Sequence, residues 1–456
     1  MSDTIAAIAT ARTPAAIGIV RISGADTPAV VDRVFAARSG KCAAQLPLRR
    51  LVYGHMRTAE GKVIDDGLCV LFAPESSYTG EWSAELHCHG APVVLDEVLR
   101  CAFAGGARQA KGGEFTQRAF LSGRMDLMQA EAVADLIDAE TAECAQNAAL
   151  QLSGAMSRGV EQAYDALMDI AARFYAAVDY PDEDIEPPEQ REIGETLERC
   201  RSGLQGLLDT FRRGRILKQG VPTVLLGLPN AGKSSLLNAL LGYDRAIVTE
   251  VAGTTRDTVE EKVRLGGRLL RLCDTAGIRD TADSVEKIGV DRAVAAAEQA
   301  ELALVVLDGS APLTGEEERI FALAEKAEHA VLVVNKIDLP QRAEPGVLEA
   351  RFPHVVHVCA ATGEGVEQIG EAVRMFYPEE AGAGGVLLTN SRQAEAVTRA
   401  LRAVERAQAA VASELTPDAV LTDAEEALAA LGELTGKSIR EDLVATIFFS
   451  RFCVGK

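Results

Sequence analysis

The sequence predicts a multidomain protein of combined α/β and α class: an N-terminal α+β domain, a discontinuous helical domain, and an α/β domain inserted into the helical one. Three observations carry this. Residues 1–119 mix short β-rich runs with Gly and Pro turns. Residues 216–379 alternate strand-length apolar runs with helical lengths, as a parallel sheet requires. Residues 120–215 and 380–456, on either side of that alternation, carry helical periodicity. A length of 456 residues, at roughly 100–200 per domain, accommodates such an arrangement.

The β-rich runs of the first domain are Ile17–Ile22, Val63–Phe72 and Glu85–Cys88. From about Phe120 the pattern is helical. Tyr164, Leu167, Ile170, Phe174 and Val178 recur every three or four residues, one face of a helix that Pro181 and the carboxylates of 179–184 terminate. Leu197, Leu204, Leu207, Leu208 and Phe211 form a second such set. The inserted domain reads as strands at Thr223–Leu226, Leu269–Leu272, Leu302–Leu307, Val331–Val334 and Val355–Val358, and Gly-rich Ala381–Gly385 closes it. Val397, Leu401, Val404 and Val411 resume the helical texture.

Composition bounds the function. Acidic side chains number 67 against 47 basic ones, a net charge of −20, which argues against a protein that grips nucleic acid through a general basic surface. No run approaches the roughly 20 apolar residues of a membrane span, and the start of the chain lacks the basic region of a secretory signal. Nine cysteines, without a C-x-x-C pair, read as reduced thiols of a cytoplasmic protein.

The chemistry lies in the inserted domain. Gly227-Leu228-Pro229-Asn230-Ala231-Gly232-Lys233-Ser234 fits G-x-x-x-x-G-K-[ST] between a strand and a helical run beginning at Ser235. Its backbone N–H groups would wrap a phosphate at a helix N-terminus, with Lys233 on the β- and γ-phosphates and the Ser234 hydroxyl on Mg²⁺. Asp274-Thr275-Ala276-Gly277 follows the next strand, placing a carboxylate near the metal and a glycine N–H near the γ-phosphate. Asn335-Lys336-Ile337-Asp338 follows Val331–Val334. The Asp338 carboxylate can accept from guanine N1–H and its 2-amino group, two donors that adenine does not offer in that geometry. These three motifs, each at a strand end, specify a Ras-like P-loop domain that binds GTP. Thr254 and Thr255 after Gly253 supply a switch threonine for Mg²⁺, within the loop Glu250-Val251-Ala252-Gly253. Ile278 stands where Ras-type enzymes carry a water-orienting Gln, which makes Glu286 the candidate for that work. Gly436-Lys437-Ser438 lacks the first glycine and a preceding strand, and reads as a turn. His87-Cys88-His89 would put Cys88 on the opposite strand face from both histidines, which argues against zinc.

Further signatures span the chain: Gly18-Ile19-Val20-Arg21-Ile22-Ser23-Gly24; Tyr78-Thr79-Gly80-Glu81 with Glu85-Leu86 and His89-Gly90; Gly113-Glu114-Phe115-Thr116 with Arg118-Ala119-Phe120-Leu121; and the tail Cys453-Val454-Gly455-Lys456. Together with the GTP motifs they resemble the MnmE (TrmE) family of tRNA-modification GTPases from end to end. The resemblance implies an N-terminal domain that binds a tetrahydrofolate derivative and dimerises. It implies work with an FAD-dependent partner (MnmG, or GidA) to place a carboxymethylaminomethyl- or aminomethyl-type group on C5 of the tRNA wobble uridine, the folate (5,10-methylene or 5-formyl) being the one-carbon source. Folate contacts fall on Arg21, Glu85, Arg124 and Lys456. It also implies a potassium-activated GTPase, K⁺ being held by Asn230 and Thr249 with the backbone of Val251 and Thr254, and Glu286 positioning water when two GTP-bound domains meet. Three departures stand out. Gly112 replaces a frequent Pro, Arg124 replaces the Lys of some relatives, and Cys359-Ala360-Ala361 replaces a Ser-Ala-x guanine loop, so that the backbone contact is kept and the hydroxyl is lost. Cys453 has no adjacent base in sequence, which favours a tail that docks over a nucleophile. The rival reading, a regulatory GTPase of ribosome assembly, shares the GTP motifs but leaves the N-terminal signatures and the tail without a purpose.

Overall fold

The computed structural model describes residues 3–179, 189–243, 261–273, 294, 296–342, 345–378, 385–413, 417–437 and 455. The chain forms two compact units, one of residues 1–134, 149–204 and 396–456, the other of residues 135–148 and 205–395.

In the first unit the chain runs β1 (Ile5–Ile8), β2 (Ala15–Ser23), α1 (Thr27–Val34), β3 (Phe35–Ala37), β4 (Val52–Arg57), β5 (Val63–Phe72), β6 (Ser83–Gly90), α2 (Pro92–Ala104), β7 (Arg108–Gln109) and α3 (Glu114–Leu121). The sheet order is β3-β4-β5-β6-β2-β1-β7, antiparallel except for β1 with β7. Strand alternation sorts the side chains. Val20 and Ile22 of β2, and Leu86 and Cys88 of β6, enter a core filled by Val30, Val31 and Val34 of α1 and Leu95, Val98 and Leu99 of α2. Each fully buried aliphatic there contributes about 1.5–3 kcal/mol. The intervening Arg21, Glu85 and His87 therefore lie on the opposite face, and Cys88 points away from both neighbouring histidines, as alternation requires.

Four helices follow: α4 (Leu127–Ile137), α5 (Ala142–Leu152), α6 (Ala155–Asp179) and α7 (Gln190–Asp209). Leu167, Ile170 and Phe174 of α6 are buried as their spacing predicts, while the side chain of Val178 lies outside the described residues. The second amphipathic set is not one helix. Leu197, Cys200 and Leu204 are the buried stripe of α7, which stops where the Thr210 N–H and hydroxyl both donate to the Leu207 carbonyl. Phe211 opens a separate helix, α8 (Phe211–Gln219).

The second unit holds β8 (Val221–Leu226), α9 (Lys233–Tyr243), β9 (Glu261–Leu265), β10 (Arg268–Cys273), β11 (Leu302–Asp308), α10 (Glu317–Ala324), β12 (His329–Asn335), α11 (Pro345–Arg351), β13 (Val355–Val358) and α12 (Val366–Phe376). The strand order is β13-β12-β11-β8-β10-β9. All five strands read from sequence are present and parallel, sandwiched between two apolar layers. Sequence reading missed β9, an antiparallel edge strand joined to β10 by Gly266-Gly267, both at positive φ. That two-glycine turn between alternating runs was the available signal.

Back in the first unit, α13 (Ser391–Ala412) and α14 (Pro417–Thr435) complete the helices. α14 packs on α6, with Tyr175 donating to Glu425 and the Lys437 ammonium 4.6 Å from the Tyr164 ring centroid. Gly436, at φ +87°, follows α14 directly, so the second Gly-Lys-Ser is a helix-ending turn; Ser438 lies outside the described residues. Among the described residues no helix is long and apolar enough to cross a membrane.

Candidate functional site

The loop Gly227–Gly232 joins β8 to α9 at the carboxyl end of the parallel strands, where open α/β sheets bind ligands. Asn230 adopts a left-handed φ of +62° and Gly232 one of +100°. A Cβ on Gly232 would stand 2.1 Å from Asn335 Nδ2, so only glycine fits. Ala231 is buried, Lys233 and Ser234 open the first turn of α9, and Ser234 and Ser235 are exposed beside the loop. The Lys233 ammonium donates to the carbonyls of Gly227 (2.8 Å) and Leu228 (2.9 Å), and burial pulls its pKa below the ordinary lysine value. A desolvated cation at a helix N-terminus is matched to an anion, and the residues present fit a nucleotide phosphate.

The opposite end of the site is built on Asn335, Lys336 and Asp338, which leave β12. Asn335, buried to 2% exposure, bridges two loops: its amide donates to the Ala231 carbonyl (2.9 Å) and its Oδ1 accepts from Ala360 N–H (2.9 Å). Lys336, at φ +65°, pairs with Asp308 at 2.5 Å. Burial opposes the Asp308 charge, but hydrogen bonds from Lys336 and Ser310 outweigh it and leave the carboxyl below its ordinary pKa. Asp338 is exposed, and the Cys359 thiol donates to its Oδ1 at 3.4 Å. Ala361 follows in the same loop, exposed. Sequence reasoning brought Asn230–Ser235, Asn335–Asp338 and Cys359–Ala361 to one strand-end surface, and the fold assembles them there. It did not find Asp308, whose only signal is its place at the end of a strand next to β12. Cys359 has no hydroxyl, and its thiol makes a side-chain contact in this loop. Thr249–Thr255, Asp274–Gly277 and Glu286 lie outside the described residues.

A second polar group lies on the face of the N-terminal sheet away from its helices. Arg21 Nε and Nη2 donate to Glu85 Oε1 (3.1 and 2.9 Å) across the β2–β6 register, and the guanidinium lies 5.9 and 5.7 Å from the ring centroids of Tyr78 and Phe115. His87 Nε2 stands 3.5 Å from Glu85 Oε2 and is itself buried without a hydrogen-bond partner. Strand alternation puts His87 beside Glu85, whereas from sequence His87 reads only as a metal-like neighbour of His89. Arg124 sits apart from that pair, donating to the Pro74 carbonyl with its Cγ 3.7 Å from a Cβ built on Gly80. Lys456 lies outside the described residues. The adjacent Gly455, at φ +111°, is buried with room for no Cβ, which would meet the Ile8 carbonyl at 2.3 Å.

A glycine loop that wraps phosphate at a helix N-terminus, opposite an Asn-Lys-x-Asp segment on the same sheet edge, defines a guanine-nucleotide hydrolase of the P-loop class. Similarity to known proteins narrows the class. The model of the GTP-binding protein TrmE N-terminus matches residues 4–124, and that of the MnmE helical domain matches residues 127–453. The tRNA modification GTPase MnmE of Roseiflexus sp. (strain RS-1) is 42% identical over 467 residues, covering 100% of this chain and 99% of its own. That of Symbiobacterium thermophilum is 43% identical over 457 residues, with the same coverage. Among solved structures, the G domain of the T. maritima FeoB iron transporter is 26% identical, covers 34% of this chain and 97% of its own, and has a TM-score of 0.26. The chain belongs to the MnmE family of tRNA modification GTPases, and is a GTP hydrolase of tRNA modification.

Proposed function

We propose that this GTPase drives modification of the tRNA wobble uridine at C5, adding an aminomethyl-type group with a tetrahydrofolate derivative as the carbon source and an FAD-dependent protein as partner. The observation that carries the reading is the seating of Gly455 on the Ile8 backbone. Ala9, next in the chain, donates to the carbonyl of Ile19, two residues from Arg21. Gly455 of the C-terminal signature thus lies beside the strand pair bearing Arg21 and Glu85, a convergence that a GTPase acting only as a switch does not need. The donor set suits a folate. Arg21, with Arg124 and Lys456, offers cations for a glutamate tail, and Glu85 Oε2 can accept from pterin N–H groups while Oε1 is held by Arg21. The exposed ring of Tyr78 adds flat apolar surface for the heterocycle.

In the nucleotide site we assign Lys233 to the β- and γ-phosphates, Ser234 and Thr255 to Mg²⁺, Asp274–Gly277 to the metal and γ-phosphate side, Asp338 to guanine, and Asn230, Thr249, Val251 and Thr254 to K⁺. Mg²⁺ and K⁺ supply positive charge where the transferring phosphoryl group develops negative charge. Glu286 holds the attacking water. We assign residues 1–119 to folate binding and dimerisation, residues 120–215 with 380–456 to the helical domain, and residues 216–379 to GTP. The setting is cytoplasmic, with the chain a homodimer.

The test is complementation. In a strain lacking the gene, wild type restores C5-modified wobble uridine in digested tRNA; Arg21→Ala and Glu286→Ala, each still binding GTP, do not. An unaltered nucleoside profile in the deletion strain would return the ribosome-assembly reading.

A further inference from the structure

Charge is unevenly placed in this acidic chain. Acids take 67 of its 456 positions, yet residues 33–59 contain none, and hold Arg33, Arg38, Lys41, Arg49, Arg50 and Arg57. The fold gathers that segment at one edge of the N-terminal sheet, where β3 is the outermost strand. Arg38, just after β3, donates its N–H to the Tyr53 carbonyl of β4 (3.1 Å). The chain then makes an excursion and returns to β4, pinned by buried Ala43 and Leu46. Ala43 N–H donates to Asp32 Oδ1 (2.6 Å) and Arg49 N–H to the Leu71 carbonyl (2.8 Å), so the excursion is a fixed surface. Arg33, Arg38, Lys41, Arg49 and Arg50 are exposed, and among the described residues none of the five forms an ion pair. Elsewhere Arg108, Arg118, Arg212 and Arg268 each pair with carboxylates. Like charges gathered without counterions repel one another, and a polyanion relieves that repulsion.

An aromatic ring stands within the same edge. Tyr53 is 42% exposed, with the Arg38 guanidinium carbon 5.9 Å from its ring centroid. Its hydroxyl donates to Asp66 Oδ2 (3.1 Å), while Asp66 Oδ1 pairs with His55 Nδ1 (2.6 Å), which holds the ring in place. A fixed ring beside uncompensated cations suits RNA: the cations take phosphates, and the ring stacks an unpaired base. We propose that the β3–β4 edge, with Arg38, Lys41, Arg49, Arg50 and Tyr53, is a docking surface for tRNA backbone. It rests on the tRNA substrate of the reading above, and on neither its folate nor its uridine chemistry. So few phosphate contacts give weak, strongly salt-dependent affinity, so this edge orients an RNA whose main grip lies elsewhere.

The test titrates labelled, unmodified tRNA with the full chain, by fluorescence anisotropy, from about 50 to about 150 mM salt. One variant carries Arg38→Gln, Arg49→Gln and Arg50→Gln. A control carries Arg319→Gln, Lys326→Gln and Arg374→Gln, which remove the same charge from exposed positions of the second unit. All six side chains are exposed, and unchanged Trp82 emission confirms a folded N-terminal domain. The edge variant loses at least about tenfold in affinity at low salt, and its log–log salt slope falls by about 2; the control stays close to wild type. Tyr53→Leu weakens binding about fivefold without changing the slope, and Tyr53→Phe, which keeps the ring, does not. An edge variant that tracks the control would overturn the proposal, as would a wild-type chain that binds no tRNA at low salt. So would an edge variant that keeps its tRNA affinity but no longer associates with the FAD-dependent protein, since the edge would then be a protein interface. Leu and Phe at position 53 behaving alike would remove the stacked base. The uridine chemistry, by contrast, stands or falls on the nucleoside profile of the deletion strain, whatever these isotherms give.

Discussion

At the scale of single residues, the nucleotide loop depends on backbone conformations rather than on a favourable interior. Gly232 is excluded from carrying any side chain by Asn335, and Asn230 pays for its φ of +62° with the strain of a left-handed non-glycine residue, which asparagine tolerates better than most. Asn230 is exposed, and the reading of K⁺ binding needs an oxygen ligand there. GTP hydrolysis is then at least about tenfold faster in KCl than in NaCl at equal ionic strength, and Asn230→Ala brings the two rates together. Steady-state phosphate release measures this, and equal rates for wild type would remove the cation from the scheme. Lys233 illustrates the same economy: its burial depresses its pKa, and an arriving anion reverses that penalty.

At the scale of elements, α3 is held by charge. Glu114, at its first turn and 6% exposed, accepts from Arg108 Nη1 (2.9 Å) and Nη2 (2.6 Å), from Lys111 N–H (2.9 Å) and from Arg118 Nη2 (3.1 Å). Arg118 also donates to Glu81 and to the Asp3 carbonyl, both at 2.8 Å, so one network ties the chain start, the loop before β6 and α3. Burial alone would raise the Glu114 pKa, but the two guanidinium groups and the backbone N–H outweigh it and hold the carboxyl below its ordinary 4.5. A depressed folded pKa means that the stabilisation is complete above the unfolded value and is lost as pH falls through the folded one. Urea unfolding followed by Trp82, the only tryptophan, therefore shows the N-terminal domain weakening as pH drops below about 4.5. Glu114→Gln lowers stability at pH 7 by about 2 kcal/mol and flattens that dependence; an unchanged slope would assign the acid sensitivity elsewhere.

At the scale of the whole molecule, a net charge of −20 belongs to a protein whose substrate is polyanionic RNA. Phosphate neutralisation supplies most non-specific RNA affinity, and this chain is poor in the clustered cations that do it. If the proposed function holds, the FAD-dependent partner it calls for supplies most of the basic surface. Fluorescence anisotropy with labelled tRNA at about 150 mM salt shows weak binding to this chain alone and strong binding once the partner is added. Tight, salt-resistant binding by the chain alone would contradict the inference.

Motif spacing and apolar alternation were enough to set the phosphate loop and the Asn-Lys-x-Asp segment at strand ends and to find the five parallel strands, because phosphate wrapping and guanine selection require particular residue types at fixed offsets from strand ends. Strand-by-strand alternation likewise set which residues of β2 and β6 enter the core. What only the tertiary structure decided are contacts between residues distant in sequence. Asp308 meets Lys336 because β11 and β12 end together, Arg21 meets Glu85 because β2 and β6 pair, and the tail glycine finds Ile8 across nearly the full chain. The thiol of Cys359 belongs with these. As a sequence departure it read as a hydroxyl lost, and the fold turns it into a donor, because its orientation comes from a backbone bridge that no local pattern encodes.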